Sequence, residues 1–450
     1  MAKFYIQTYG CQMNVYEAGV VRRILAGAGY SETGDEREAD VLLMMTCSVR
    51  SHAEARALGR IGAFRALRGG RPGCVIGVLG CMAQRFGDDL VRNERVDLVV
   101  GPDCYLRLPG LLHDIACGSK GLVVTDQNLE CYDDVHPLPA GPRARSETDE
   151  QPRPASVTGF VTIMRGCDNY CSYCIVPYVK GRERSKSFDK VLDEVRALID
   201  SGVKDVTLLG QNVSAYRDGE RDFVALLEAV DRVAGDARVR FLTSHPRDLN
   251  ERVLSAMRDL GSVCPALHLP LQSGSDRILQ LMNRGYTSAD YVRKVTRARE
   301  LVPDLSLSTD VIVGFPSETD VEFGETLTVI QDVRFDSAYM FRYSQRPGTA
   351  ATDIAPRVGE ADSGRRLARL IEVQNRITAE QSRQMVGREC ELLIEGPSPR
   401  ERAWLGRTRN NKIVIVNGAL APGDFVRCRV TRVNGWTPIA EIGAPVAAAC

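Results

Sequence analysis

The sequence predicts an α/β protein in three parts. These are an N-terminal doubly wound domain with a parallel sheet, a central partial (β/α)6 barrel and a small C-terminal antiparallel β-barrel. Two observations support this fold class. Short apolar runs alternate with helix-like stretches through most of the chain, which is typical of parallel α/β folds. After Gly387, short strand-like runs separated by turns such as Asn417-Gly418 and Asn434-Gly435 replace that alternation.

Residues 1–131 are predicted to form the first domain. Buried parallel strands are expected at Phe4–Tyr9, Val41–Met45 and Cys74–Leu79. Helices are expected between them, at Ala18–Ala28 and His52–Leu67. Residues 132–157 are rich in proline, charged and small residues, and therefore indicate a linker.

Residues 158–380 are predicted to form the barrel. Its strands are expected at Phe160–Met164, Asp205–Leu209, Val239–Leu242, Ala266–Leu269, Leu307–Val313 and Ala338–Tyr343. Helices are expected at Phe188–Asp200, Ala289–Leu301 and, as a long connector, Ser363–Met385. About six βα units fit a partial barrel better than a complete one of eight.

Residues 383–446 are predicted to form the C-terminal barrel of about sixty residues. Its strands are expected at Glu389–Glu395, Lys412–Val416 and Phe425–Val433.

Charge and composition limit the location and partners of the chain. Lys+Arg 58 equals Asp+Glu 58, so the net charge indicates no polyanionic partner, and an RNA site requires a local basic patch. No apolar run reaches the roughly 18 residues of a membrane span. The N-terminus lacks a signal-peptide pattern. We therefore expect a cytoplasmic protein, in which 14 cysteines favour metal chemistry over disulfides.

Cys167, Cys171 and Cys174 form a C-x3-C-x2-C run directly after the first predicted barrel strand. Structural zinc sites and passive iron–sulfur clusters normally take four protein ligands. Three thiolates leave one iron of a 4Fe–4S cluster open to a reactant. Because the loop follows the C-terminal end of a strand, we expect the cluster at the mouth of the barrel.

Cys11, Cys47 and Cys81 each follow a predicted strand of the N-terminal domain by one to three residues. Parallel strands in a doubly wound sheet end along one edge, where ligands bind. Ordinary buried cysteines are the alternative, since buried cysteine is common. The repeated placement favours a second three-thiolate cluster.

With both triads and the small barrel, the chain resembles the radical S-adenosylmethionine methylthiotransferases. The matching segments are Thr8–Asn14, Tyr178–Ser185, Leu209–Val213, His268–Gly274, Asp310–Glu318 and Tyr343–Thr349. The segment Gly406–Lys412 resembles a TRAM domain, an OB-like RNA-binding barrel. The Gly-Cys-Gln-Met-Asn sequence around Cys11 is similar to the branch that acts on N6-isopentenyladenosine beside the tRNA anticodon.

The resemblance implies two 4Fe–4S clusters and two S-adenosylmethionine molecules. One molecule would methylate a sulfur at the N-terminal cluster. The other would yield a 5′-deoxyadenosyl radical at the barrel cluster, which removes hydrogen from C2 of the adenine. Both clusters would then face one cavity, and the protein would supply position and exclusion of water. The implied partners are isopentenylated tRNA and an electron donor such as a flavodoxin or ferredoxin, and we expect a monomer.

Further site residues are expected at strand ends and in basic stretches. Candidates for binding S-adenosylmethionine are Gln211, Asn212, Ser244, Gln272, Ser273, Gly314 and Pro316, with His245 and Phe315 beside them. Candidates for binding RNA are Arg407, Arg409, Asn410, Asn411 and Lys412, extended by Arg400 and Arg402. Trp436 either stacks on a base or packs the barrel. Arg182, Glu183 and Arg184 either bind RNA phosphate or fix the cluster loop by ion pairing.

Three alternatives stay open at this point. The methylthiotransferase could act on a ribosomal protein or on threonylcarbamoyl-adenosine tRNA. A radical enzyme with one cluster would insert no sulfur. A non-enzymatic RNA-binding protein with structural metal sites belongs to a different class.

Overall fold

The computed structural model describes residues 1–48, 51–71, 73–127, 130, 132–139, 156–399 and 403–442. Residues 140–155 of the predicted linker, the final residues 443–446 of the predicted C-terminal barrel, and Arg400 and Arg402 lie outside the described residues. The chain divides into two compact units. The first comprises Met1–Arg153, Phe160–Tyr170 and Cys174–Glu194, and the second comprises Pro154–Gly159, Cys171–Tyr173 and Val195–Cys450. No helix in the described part of the chain combines the length and apolar character needed to cross a lipid bilayer.

The first unit is built on a parallel sheet. Its strands are β1 (Lys3–Thr8), β2 (Ser31–Glu32), β3 (Val41–Thr46), β4 (Val75–Gly80), β5 (Leu98–Val100) and β6 (Leu122–Val124). Its helices are α1 (Gln12–Gly27), α2 (Ser51–Arg68), α3 (Cys81–Phe86), α4 (Asp88–Glu94) and α5 (Leu108–Ala116). The sheet order is β2-β1-β3-β4-β5-β6, with every pairing parallel. Every residue of β3 is buried, as expected for a strand inside a doubly wound sheet.

The region around the predicted cluster loop contains short elements. They are β7 (Thr158–Thr162), β8 (Met164–Arg165), α6 (Val176–Lys180), β9 (Arg184–Ser185) and α7 (Phe188–Asp200). Strands β8 and β9 pair antiparallel, so the two ends of the segment that carries Cys167 and Cys174 are joined at its base.

The second unit contains the remaining barrel strands. They are β10 (Asp205–Leu209), β11 (Arg217–Asp218), β12 (Arg221–Asp222), β13 (Arg238–Leu242), β14 (Ala266–His268), β15 (Ser306–Val313) and β16 (Ser337–Arg342). The helices are α8 (Phe223–Ala234), α9 (Glu251–Asp259), α10 (Asp276–Leu281), α11 (Ser288–Leu301), α12 (Asp320–Val333) and α13 (Glu360–Arg383). Within this unit β10 pairs parallel with β13, and β14, β15 and β16 form a second parallel sheet in that order. A bridge between Val239 and Val263 and a hydrogen bond from Ser244 N to His268 O (3.4 Å) connect β13 to the segment around β14.

The C-terminal part of the second unit is a closed barrel. Its strands are β17 (Glu389–Pro397), β18 (Trp404–Thr408), β19 (Ile413–Val416), β20 (Phe425–Asn434) and β21 (Thr437–Ile442), in the order β17-β18-β19-β21-β20. Alternate side chains of these strands fill a separate apolar core that includes Leu392, Val414 and Val430. The predicted small barrel is confirmed, although β18 and β21 were not predicted from the sequence.

Candidate functional site

The structure brings Cys11, Cys47 and Cys81 to one edge of the parallel sheet. Cys11 directly precedes α1, Cys47 follows β3, and Cys81 is the first residue of α3 after β4. Since β1, β3 and β4 are adjacent parallel strands, their carboxyl ends meet at this edge. Cys47 and Cys81 are buried, and Cys11 is half-buried. The convergence predicted from the sequence therefore occurs within one unit.

Local packing holds these thiols close together. Gly10 has φ +138°, and a Cβ at this position would lie 2.6 Å from the Cβ of Cys47, so only glycine allows this approach. The Asn14 amide donates to Thr46 O (2.7 Å) and Tyr9 O (3.1 Å), and its Oδ1 accepts from Cys11 Sγ (3.4 Å). Asn14 thereby ties two strand ends to the first thiol.

The thiols differ in acidity. A hydrogen bond with Cys47 lowers the pKa of Cys11 to about 6, against the opposite effect of burial. Burial raises the pKa of Cys81 to about 11. A thiolate, the form that binds metal, is therefore more easily formed at Cys11 than at Cys81.

A buried group of charges lies in the same unit. Glu17 on α1 forms an ion pair with Lys180, and its other oxygen accepts from the Tyr105 hydroxyl (3.0 Å). Arg165 lies 3.5 Å from both Glu17 and Asp103, and Arg184 lies 3.1 Å from Asp103. Glu17 and Lys180 are not among the site residues predicted from the sequence. Only the charge of Glu17 in an otherwise buried helix stretch offered a signal.

The loop of Cys167, Cys171 and Cys174 carries hydrogen-bond donors to sulfur. Within the first unit, Asn169 Nδ2 donates to Cys167 Sγ (3.4 Å). Within the second unit, Arg284 Nη1 donates to Cys171 Sγ (3.3 Å). Donors of this kind tune iron–sulfur clusters. No spacing rule in the sequence identified Arg284, which lies more than a hundred residues beyond the loop.

Arg284 is itself fixed by its surroundings. It is only 4% exposed, and it donates to Pro270 O (3.1 Å) and to the Tyr286 hydroxyl (3.0 Å). A buried guanidinium needs acceptors on each side, and a cysteine sulfur supplies one here.

The residues after the cluster loop fix the loop in this structure. Arg182 binds both carboxylate oxygens of Asp168 (2.8 and 3.1 Å), and the same carboxylate accepts from Glu183 N (3.2 Å). Arg184 pairs with Asp103. The ion pairs expected for this stretch are present, and binding of RNA phosphate stays a prediction.

Several predicted S-adenosylmethionine ligands lie at strand ends of the second unit. Asn212 after β10 accepts from His245 N (3.0 Å) and donates to Asp248 (2.6 Å). Ser244 after β13 accepts from Ser214 Oγ (2.9 Å). Burial lowers the pKa of His245 to about 2, so this imidazole is neutral, and its buried Nε2 has no hydrogen-bond partner among the described residues.

Gln272 has an unsatisfied acceptor. It is 7% exposed with φ +72°, and its buried Oε1 has no hydrogen-bond partner among the described residues. A buried orphan acceptor next to a strand end fits a site that is completed by a ligand.

The other predicted ligands have roles inside the protein. Ser273 Oγ lies 3.3 Å from Thr326 Oγ1 and accepts from Ser275 N (3.2 Å). Gly314 N donates to Glu318 (2.6 Å). Pro316 is buried in the turn after β15, and Gln211 follows β10 and is half-buried. Cofactor contact by these residues stays a prediction.

The basic stretch predicted to bind RNA contacts the segments at the N-terminal ends of the barrel strands. Arg409 donates to Gly261 O (2.6 Å) and Val263 O (3.2 Å), and Lys412 pairs with Asp336. The remaining members of the stretch also form contacts. Arg407 forms an ion pair with Glu395 and donates to Asn411 Oδ1, and Asn410 donates to Asp304 O. RNA binding by this stretch stays a prediction. Trp436 is 56% exposed.

The donor sets fit iron–sulfur clusters chemically. Each set offers three sulfurs, which leaves one iron of a 4Fe–4S cluster without a protein ligand. Around a single zinc ion, bond lengths near 2.3 Å would bring thiolates within about 4 Å of each other. Across the described residues, no group of three or more Cys, His, Asp or Glu side chains is arranged to hold one metal ion.

Fold and sulfur chemistry together define a radical S-adenosylmethionine enzyme. The radical SAM superfamily model matches residues 161–330, the uncharacterised family UPF0004 matches residues 3–101, and the TRAM domain matches residues 383–442. Among solved structures, the cobalamin-bound radical S-adenosylmethionine methyltransferase TsrM from Kitasatospora setae has a TM-score of 0.57 at 15% identity. This match covers 78% of this chain and 74% of that one, and it shows the fold.

The curated relatives identify the family. A tRNA-2-methylthio-N(6)-dimethylallyladenosine synthase from Phocaeicola vulgatus is 45% identical over 443 residues, 97% of this chain and 94% of that protein. Its counterpart from Bacteroides thetaiotaomicron is 43% identical, with 97% and 95% covered. The chain belongs to this family of radical S-adenosylmethionine methylthiotransferases, which use S-adenosylmethionine and 4Fe–4S clusters.

Proposed function

We propose that this enzyme converts the C2–H bond of N6-isopentenyladenosine, next to the tRNA anticodon, into C2–SCH3. The observation that carries the proposal is the pair of three-cysteine groups, in a chain that resembles its relatives from end to end. We assign one cluster to Cys167, Cys171 and Cys174, and the second to Cys11, Cys47 and Cys81. When bound, the clusters and S-adenosylmethionine supply the radical, the sulfur and the methyl group.

The chain's own residues orient and protect these groups. Arg284 and Asn169 donate hydrogen bonds to loop sulfurs, and Asn14 holds the first thiol at the sheet edge. Gln272 and His245 offer buried polar atoms to S-adenosylmethionine, together with the other strand-end candidates. We further propose the domain limits 1–131, 158–380 and 383–446, a monomer in the cytoplasm and a flavodoxin or ferredoxin as electron donor.

The test compares substrates and cysteine variants of the full chain. The reconstituted enzyme is offered isopentenylated tRNA, threonylcarbamoyl-adenosine tRNA and a ribosomal-protein peptide, and methylthiolated products are measured by mass spectrometry. We expect product on isopentenylated tRNA alone. Product on the peptide alone would refute the substrate assignment.

Cysteine variants test the division of labour. We expect C11A/C47A/C81A to keep about half of roughly eight irons per chain and to form 5′-deoxyadenosine without methylthiolated product. The matched control is C74A, because Cys74 is a buried cysteine at the opposite end of β4. Full methylthiolation by the triple variant would contradict the assignment of the second cluster.

A further inference from the structure

Lys180 is buried in the first unit beside the Cys11–Cys47–Cys81 group. It is the last residue of α6, is 4% exposed, and forms an ion pair with the equally buried Glu17. Burying an ammonium group is costly unless negative charge surrounds it. The negatively charged groups around Lys180 therefore have to be identified.

Helix packing places Lys180 next to the thiols. Helix α6 packs on α3, and Ile175 and Val179 form an apolar cluster with Cys81, the first residue of α3. Glu17, the ion-pair partner, lies on α1 six residues after Cys11. Lys180 is thus held between the helices that begin at two of the three thiols.

The electrostatics agree with this placement. Burial alone lowers the pKa of Lys180, but negative charge at Cys81 and then at Glu17 outweighs burial and raises it. Lys180 therefore interacts electrostatically with Cys81 as well as with Glu17.

Other charges nearby largely compensate one another. Asp103 is shared between Arg165 and Arg184, and Arg165 also approaches Glu17. Glu17 is therefore shared by two cations, Lys180 and Arg165.

We propose that Lys180 is a positioning residue that stabilises the added electron on an iron–sulfur cluster held by Cys11, Cys47 and Cys81. Reduction adds one negative charge to the cluster, and a fixed buried cation favours the more negative state. Net charge and hydrogen bonding near the sulfurs are established determinants of cluster potential. This inference rests on the proposed function, since that proposal assigns the cluster to these cysteines.

The experiment uses the full chain with C167A/C171A/C174A, so that one cluster remains after anaerobic reconstitution. An EPR-monitored redox titration gives its midpoint potential. K180M should lower the midpoint potential by at least about 59 mV, which corresponds to a tenfold change in the equilibrium constant of a one-electron reduction. K180R should stay near the parent value. The matched control is K186M, because Lys186 is similarly buried and pairs with Glu194 (2.7 Å).

Each outcome separates the two proposals. An unchanged potential in K180M, or an equal shift in K186M, overturns the role of Lys180. If K180M takes up no iron, K180R decides the question. A K180R protein that loads a cluster with a near-parental potential supports the role of Lys180, and a K180R protein that fails to load a cluster refutes this role. A parent protein that holds no cluster would instead refute the cluster assignment to Cys11, Cys47 and Cys81.

Discussion

Arg240 is the side chain whose removal should loosen the contact between the two barrels of the second unit. On β13, its Nε donates to Asp205 (2.8 Å), and both side chains are buried. Its two terminal nitrogens donate to main-chain oxygens of the C-terminal barrel, Arg409 O (2.8 Å) and Thr408 O (3.0 Å). Because these acceptors are carbonyls, changing the side chains at 408 or 409 would not reproduce the loss of Arg240.

Replacing Arg240 with Met leaves Asp205 charged and buried without its partner. Breaking a buried ion pair in this way costs about 3–5 kcal/mol. For a unit of this size, about 2–4 °C of melting temperature corresponds to each kcal/mol. We therefore expect R240M to lower the transition of the second unit by at least about 6 °C in differential scanning calorimetry.

Two further variants complete this test. R297M is the control, since Arg297 forms an exposed pair with Glu251, and such pairs contribute about 0–1 kcal/mol. R240M/D205N should recover part of the loss, because the unpaired charge is removed. Equal shifts in R240M and R297M would refute the expectation that the buried pair stabilises the second unit.

Two other predictions concern acid stability and packing. A hydrogen bond from Arg277 lowers the pKa of Glu322 from 4.5 to about 2, so its contribution is present above about pH 4.5 and is lost as the pH falls towards 2. E322Q should remove at most about 3 kcal/mol of this pH-dependent stability. The prediction is contradicted if replacing Glu322 leaves the melting temperature unchanged across this pH range. At Gly314 (φ +69°), a Cβ would lie 2.6 Å from Ser363 Cβ, whereas Gly219 (φ +61°) has open space. G314A should therefore lower the melting temperature more than G219A, and S363G should partly rescue it; equal effects would argue against the clash.

Much of the fold follows from local patterns in the sequence. Strands such as β10 and β15 are continuous or alternating apolar runs, so their positions were predicted to within a residue. Strands β5 and β6, at three residues each, and the two-residue pair β8–β9 are too short to create a periodic signal. They form because neighbouring strands already present partners, which is a tertiary effect.

The thiols were predictable for the same reason as the strands. Cys11, Cys47 and Cys81 follow recognisable strand ends, and the topology of parallel sheets then brings them together. Arg284 and Lys180 could not be found this way. Their roles depend on contacts with residues more than a hundred positions away, Cys171 and Glu17, and a single sequence gives no spacing for such pairs.

The contacts of the basic stretch Arg407–Lys412 show why a charge pattern in the sequence does not by itself identify the partner of the charged residues. Alternating cations on a small barrel predicted an RNA-binding face, but Arg409 and Lys412 use their donors on the open ends of the barrel strands. Unpaired backbone carbonyls and the carboxylates near strand starts need donors when they are buried. A basic loop of the small barrel satisfies them, so the residues that predict an RNA contact also join the small barrel to the rest of the second unit. RNA contact by Arg409 or Lys412 stays a prediction, and it requires these side chains to exchange their present acceptors, Gly261 O, Val263 O and the Asp336 carboxylate, for RNA phosphate.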